Sequence, residues 1–136
     1  MIKLTLPHPI SVNVAYAGMR VRYKSKAYKN WENLAYIDIK NLEKMKVTEG
    51  KKLLVTYTLY TECYYKNWNH KRIDVANYEK VVSDFLWHII ENFEDSYIYD
   101  MHMIKINSSK NQMDIEIEEI EEEEEDKYND STANNK

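Results

Sequence analysis

Three carboxylates are spaced so that they can serve phosphoryl chemistry. Asp74 ends the basic run of HKRIDVANYEK (70–80), Lys80 follows six residues later, and Glu94 and Asp95 stand together in FEDSYIYD (93–100). A carboxylate at a helix start and another at the start of the next strand can converge across one end of a sheet. Their hard oxygens suit Mg²⁺ or Mn²⁺. A cation held there activates water for attack on phosphorus and neutralises charge on the leaving oxygen. On a wheel of residues 74–90, Asn77, Lys80, Asp84 and His88 form a polar arc close to Asp74. Any amphipathic helix carries such an arc, so by itself it reads first as a solvated face and only weakly as a site.

The elements around these residues follow from hydrophobic period. Asp74 is a good N-cap for a helix reaching about Asn92, whose core face is Tyr78, Val82, Phe85 and Ile89 with Val81 and Leu86 beside them. Before it, KKLLVTYTLYTECYY is the strongest strand signal. It puts Leu53, Val55, Tyr57, Leu59 and Cys63 on one face and Thr56, Thr58 and Glu62 on the other. Cys63 there reads as a small buried hydrophobe. After the helix, Tyr97 to Ile106 and Met113 to Ile120 form a second strand pair joined by the turn NSSKNQ. At the front of the chain Ile2, Leu4 and Leu6 alternate with polar residues in a strand that stops at Pro7 and Pro9, and a polar loop follows around Ser11 and Asn13. RVRYKSK (20–26) reads as extended. Ser25 can cap a helix to about Met45, with Trp31, Leu34, Ala35, Ile39 and Leu42 as its buried stripe, and Gly50 marks a turn. The order is strand, strand, helix, strand, helix, strand, strand. That makes an α/β (α+β) domain, a mixed β-sheet with two main helices packed on it.

Charge is distributed unevenly. The chain is −4 overall, but residues 114–136 hold eleven acids against Lys127 and Lys136, a local −9, leaving +5 on residues 1–113. A basic body with an acidic tail points to a polyanionic partner for the body. In extended chain Arg20, Arg22 and Lys24 share one side, continued by Lys26. Such a row is a phosphate track or a charged, protected strand edge. His70, Lys71 and Arg72 offer a DNA contact or a solvated loop. Trp31 reads as core, whereas Trp68, in the polar loop 66–73, can stack on an unpaired base. Residues 121–136 read as a disordered tail beyond a domain of residues 1–120; the tail is a solubility segment or a competitor for the basic face.

Other classes lose ground on composition. A length of 136 residues is one domain, and 43% hydrophobic residues suffice for a core. A lone cysteine excludes an internal disulfide framework and cysteine-rich zinc sites, and the four histidines lack paired zinc spacing. No glycine-rich phosphate loop is present, which argues against nucleotide hydrolysis and a small-molecule cofactor. MIKLTLPHPIS is too short an apolar run for a signal peptide, and no stretch has membrane-span length, so a cytoplasmic protein without membrane partners is expected.

Taken in order, several stretches resemble the RusA-type Holliday-junction resolvases, small endonucleases of bacteria and their phages. LPHPISVN (6–13) resembles the family's Leu-Pro-x-Pro-x-Ser-x-Asn opening, and KSKAYKNW begins its first long helix. KRIDVANYEKVVSDFL resembles the signature Arg-x-Asp-x-Asp-Asn-Leu-x-Lys, and EDSYIYDMHMIK the acidic pair with its following strand lysine. The resemblance spans about residues 4 to 120. It implies metal-dependent cleavage of four-way DNA in recombination and repair by an intertwined homodimer. It implies that Asp74 and Asp95 bind Mg²⁺ or Mn²⁺, with Glu94 beside them, and that Lys80 serves the chemistry. Asn77 is the signature asparagine, and Asp84 and Lys105 match recurrent positions. Ala76 departs from the pattern, standing where the second signature aspartate belongs. Either cleavage survives weakened, or junction binding survives without it. A separate reading is an interaction module that uses the acidic tail.

Overall fold

A computed structural model describes residues 1–18, 23–39 and 45–121. The main sheet has four strands in the order β1-β6-β4-β5, where β1 is Ile2–Pro7, β4 Leu53–Thr61, β5 Ile98–Asn107 and β6 Gln112–Glu119. β6 lies antiparallel to both β1 and β4, while β5 runs parallel to β4. The sheet is therefore mixed, as expected. A two-stranded ribbon of β2 (Tyr16–Ala17) and β3 (Tyr23–Lys24) lies apart from it.

Two helices carry most of the helical packing: α2, Lys26–Asp38, and α3, Ala76–Ile89. A third, α1, is a single turn at Val12–Ala15 where a polar loop was expected. Its backbone turns because Ser11 O accepts from the Val14 and Ala15 amides at 3.0 and 2.9 Å. Ser25 caps α2 as expected, its Oγ accepting from the Tyr28 amide at 3.1 Å. The helix ends at Asp38, and Ile39 is extended; Leu42 lies outside the described residues. Tyr28, Trp31, Ala35 and Ile39 are buried, whereas Leu34 is 56% exposed. Leu34 precedes Ala35 by one residue, about 100° around the helix and off the buried stripe. Tyr28 takes a core place that the sequence reading missed, and its hydroxyl donates to Val81 O at 2.9 Å.

β4 is the spine of the domain. Leu53, Val55, Tyr57, Leu59 and Thr61 are buried and alternate with half-buried residues. Beneath α3, the Tyr57 hydroxyl and Ser83 Oγ lie 2.6 Å apart, and Ser83 also donates to Glu79 at 2.7 Å. Among the described residues no buried side-chain nitrogen or oxygen lacks a hydrogen-bond partner. Cys63, just past the strand, is buried, with its Sγ donating to Thr61 O at 3.4 Å.

One expected pairing is wrong. The last two strands follow each other in sequence across NSSKNQ, but β6 pairs with β4, not with β5. The connection crosses the end of β4, where the Ser108 amide donates to Thr61 O at 3.0 Å and Asn107 Oδ1 accepts from the Cys63 amide at 2.9 Å. β4 thus has a ladder on each side, and β5 is left as an edge strand. No described helix is long and apolar enough to cross a membrane.

Candidate active site

The loop from β4 into α3 delivers Asp74. Its Oδ1 accepts from the Ala76 amide at 3.0 Å and its carbonyl from the Asn77 amide at 3.0 Å. The N-cap position belongs to Val75, which is already helical, so Asp74 closes the turn one residue earlier than expected. The helix also stops sooner, at Ile89. Lys105 of β5 donates to Ile73 O at 2.9 Å, tying the residue before Asp74 to the sheet. Asp74, Ala76 and Asn77 are all exposed. A methyl group at position 76 offers no ligand.

One turn into α3, Lys80 reaches Asp84 at 3.2 Å and Asp95 at 3.6 Å. Asp95 opens a short 3₁₀ turn, Asp95–Tyr97, that leads into β5; Glu94 is its N-cap and is exposed. Residues 15 apart in sequence are thus brought together by the α3-to-β5 connection, while no side-chain hydrogen bond or ion pair joins Asp74 to either. The bond to Asp84 and its charge, with Asp95 adding to them, raise the Lys80 ammonium above its ordinary range. At neutral pH Lys80 is therefore a cation, suited to neutralising phosphoryl charge or protonating a leaving oxygen rather than taking a proton from water.

Asp84 is held from its other side by Tyr16, whose hydroxyl donates to Oδ2 at 2.5 Å. Burial, then the bond and charge of Asp84, push the Tyr16 phenol up to about 12. Tyr16 escaped the sequence reading because an aromatic next to a polar loop carries no periodic signal. The result is a chain from the N-terminal ribbon through Asp84 and Lys80 to Asp95.

Mg²⁺ keeps several waters and is held by one or two carboxylates plus substrate phosphate, seldom by an all-protein cage. Asp74 and Asp95 are each exposed carboxylates, the hard-oxygen donor type that such a site uses. Among the described residues no three acidic, histidine or cysteine side chains are gathered as a ready-made cation site.

The expected row of cations lies only partly within the described residues. Arg20 and Arg22 lie outside the described residues. Lys24 is bound to Glu32 at 2.9 Å and sits 5.1 Å from the Tyr28 ring centre, so it is a structural strut. Lys26 is the first residue of α2 and does not continue a strand. Lys71 lies 3.7 Å from Glu62 and 5.7 Å from the Tyr65 ring, while Arg72 is exposed.

A family model described as endodeoxyribonuclease RusA matches residues 8–118. The chain belongs to the RusA family. That family acts on branched Holliday-junction DNA, and its resolvases depend on divalent metal. A search of curated proteins finds no significant match. The RusA match covers both long helices, β4, β5 and all but the last residue of β6, leaving β1 outside, and it includes Asp74, Lys80, Asp84 and Asp95.

Proposed function

We propose that this RusA-family chain binds four-way or otherwise branched DNA and nicks it by metal-dependent phosphodiester hydrolysis. The observation that carries the site assignment is Lys80 held 3.6 Å from Asp95 at the α3-to-β5 connection. Asp95 and Asp74 would hold Mg²⁺ or Mn²⁺, with Glu94 available beside them. When bound, the cation supplies water activation and neutralises charge on the leaving oxygen. Lys80 supplies a second positive charge, and Asp84 with Tyr16 restrains it. Exposed Asn77 and Arg72 are available to the DNA backbone, while Lys71 is engaged by Glu62.

Ala76 sets the rate. One carboxylate fewer leaves the octahedron around Mg²⁺ to be completed by water and phosphate, so slow cleavage is expected. A second reading, binding without cleavage, is favoured by the absence of a three-ligand cluster among the described residues.

A homodimer with two such sites suits the near two-fold symmetry of a four-way junction. Support comes from the open edge of β5, where Met101, Met103, Ile104 and Ile106 are each 38–44% exposed.

A synthetic four-way junction with Mg²⁺ or Mn²⁺, offered to the parent and to Ala76→Asp, tests the proposal. Slow nicking by the parent and nicking at least tenfold faster by the variant are expected. Junction binding without parental nicking, rescued in Ala76→Asp, selects the second reading. Failure of both proteins to prefer a junction over duplex would end the branched-DNA assignment.

A further inference from the structure

We infer that the loop between β4 and α3 is a stacking platform for an unpaired nucleobase at the branch point, with Trp68 as its contact surface. This rests on the branched-DNA reading and adds to it a residue with its own ligand chemistry.

The loop is built rather than slack. Tyr64 and His70 form an antiparallel bridge. Inside it the Tyr65 amide donates to Asn69 O and the Trp68 amide to Tyr65 O, each at 2.9 Å. The Asn69 amide donates to Asn67 Oδ1 at 3.1 Å, and the Lys71 amide closes the base on Cys63 O at 2.8 Å. At the tip Trp68 is 78% exposed. A tryptophan serving the core would be buried, as Trp31 is.

Its backbone makes the placement more pointed. Three non-glycine residues have positive φ among those described: Asn92, Asn111 and Trp68, the last at φ 66°. Asparagine tolerates the left-handed region; tryptophan pays for it and would be replaced there at no loss of packing. Such outliers gather where the local conformation serves binding. Here the turn lifts the indole into solvent while Tyr64, 6.1 Å away between ring centres, buttresses it, and His70 lies 4.7 Å behind Tyr64.

The surroundings select the occupant. From Cys63 to Ile73 there is no acid, and Lys66, Lys71 and Arg72 are cationic. Lys71 is engaged by Glu62, leaving exposed Lys66 and Arg72 for phosphate. An exposed ring flanked by cations matches a base with its backbone, since every base has a π-face and stacking is sequence-tolerant. A protein hot spot of this size is instead ringed by residues depleted in lysine. Trp68 also precedes Asp74 by six residues on the same loop, so a base stacked there registers the branch point against that carboxylate.

The full-length protein is titrated into a four-way junction carrying 2-aminopurine at the branch point, and into duplex of matching arm sequence. The wild type should quench the 2-aminopurine and prefer the junction. Trp68→Ala should lose the quenching and about five- to 150-fold of junction affinity, with duplex affinity unchanged. Trp68→Phe keeps a ring and should recover part of both, which separates stacking from misfolding. If Trp68→Ala quenches and binds like wild type, the stacking site is refuted while the branched-DNA reading stands. If it instead alters only self-association in sedimentation, the loop is a contact between copies and the inference is equally refuted. If wild type binds neither junction nor duplex, the branched-DNA reading fails and takes this inference with it.

Discussion

Tyr16 couples the N-terminal ribbon to the site through one hydroxyl, and its energetics can be separated from those of the fold. The Tyr16 bond to Asp84 is charge-assisted, and removing such a bond costs about 1.5 kcal/mol or somewhat more. Tyr16→Phe should therefore lower stability in urea by about that amount at neutral pH, with α3 still formed. The same bond has a pH signature. Folding raises the phenol from 10.0 to about 12, chiefly through burial and then through Asp84, with Tyr28 and Glu32 also facing it. Below the lower value both folded and unfolded chains keep the proton. Through the window from there to about 12 the unfolded chain releases it first, so stability falls as pH rises. Urea midpoints across that window should drop more steeply for the parent than for Tyr16→Phe; parallel curves would show that Tyr16 titrates as it does in the unfolded chain.

At the level of elements, β5 is the strand whose surroundings are incomplete. Every residue from Tyr99 to Asn107 is exposed although the strand is laddered to β4 on one side, save for an irregularity at Tyr99. An open apolar edge invites another strand, and a lysine on such an edge blocks it. Met103→Lys should convert the proposed dimer to monomer in sedimentation without lowering the monomer's helical signal. A wild type that is already monomeric at micromolar concentration would remove the dimer from the proposal. The contrast between β4 and β5 also shows how far sequence patterning reaches. The β4 face Leu53, Val55, Tyr57 and Leu59 was legible because burial on one side enforces a period of two. The α3 stripe Val82, Phe85 and Ile89 was legible for the corresponding helical reason. Strand order was not, because the short turn after β5 suggests a hairpin, whereas the Ser108 amide donating to Thr61 O and Asn107 Oδ1 accepting from the Cys63 amide carry the chain across the end of β4. Of the candidate site, Asp74, Lys80 and Asp95 were singled out through residue type and the family pattern, and the structure brings Lys80 and Asp95 together. The Lys24–Glu32 ion pair was not legible because Glu32 lies a helix turn or two away, beyond the reach of strand alternation.

Across the whole molecule, electrostatics oppose themselves. The body to residue 113 carries +5 and the remainder −9, so a polyanionic ligand meets an acidic segment that belongs to the same chain. Residues 122–136 lie outside the described residues, but their charge enters any association with DNA. They contain six acids and two lysines, so a chain ending at Glu121 is neutral instead of −4 and keeps the Lys51–Glu121 ion pair at 3.1 Å. Exposed charges act over a Debye length of about 10 Å at 0.1 M salt and about 30 Å at 0.01 M. A tail that competes for the basic face should therefore weaken binding most in dilute salt. Truncation after Glu121 is expected to raise junction affinity about tenfold near 0.01 M salt, with the gap narrowing towards 0.2 M as screening removes the tail's reach. Because both proteins keep the same described residues, the two salt titrations should converge rather than run parallel. Equal affinities at low salt would show that the acidic segment does not contest the DNA face, and a gap independent of salt would point to steric exclusion by its bulk rather than to its charge.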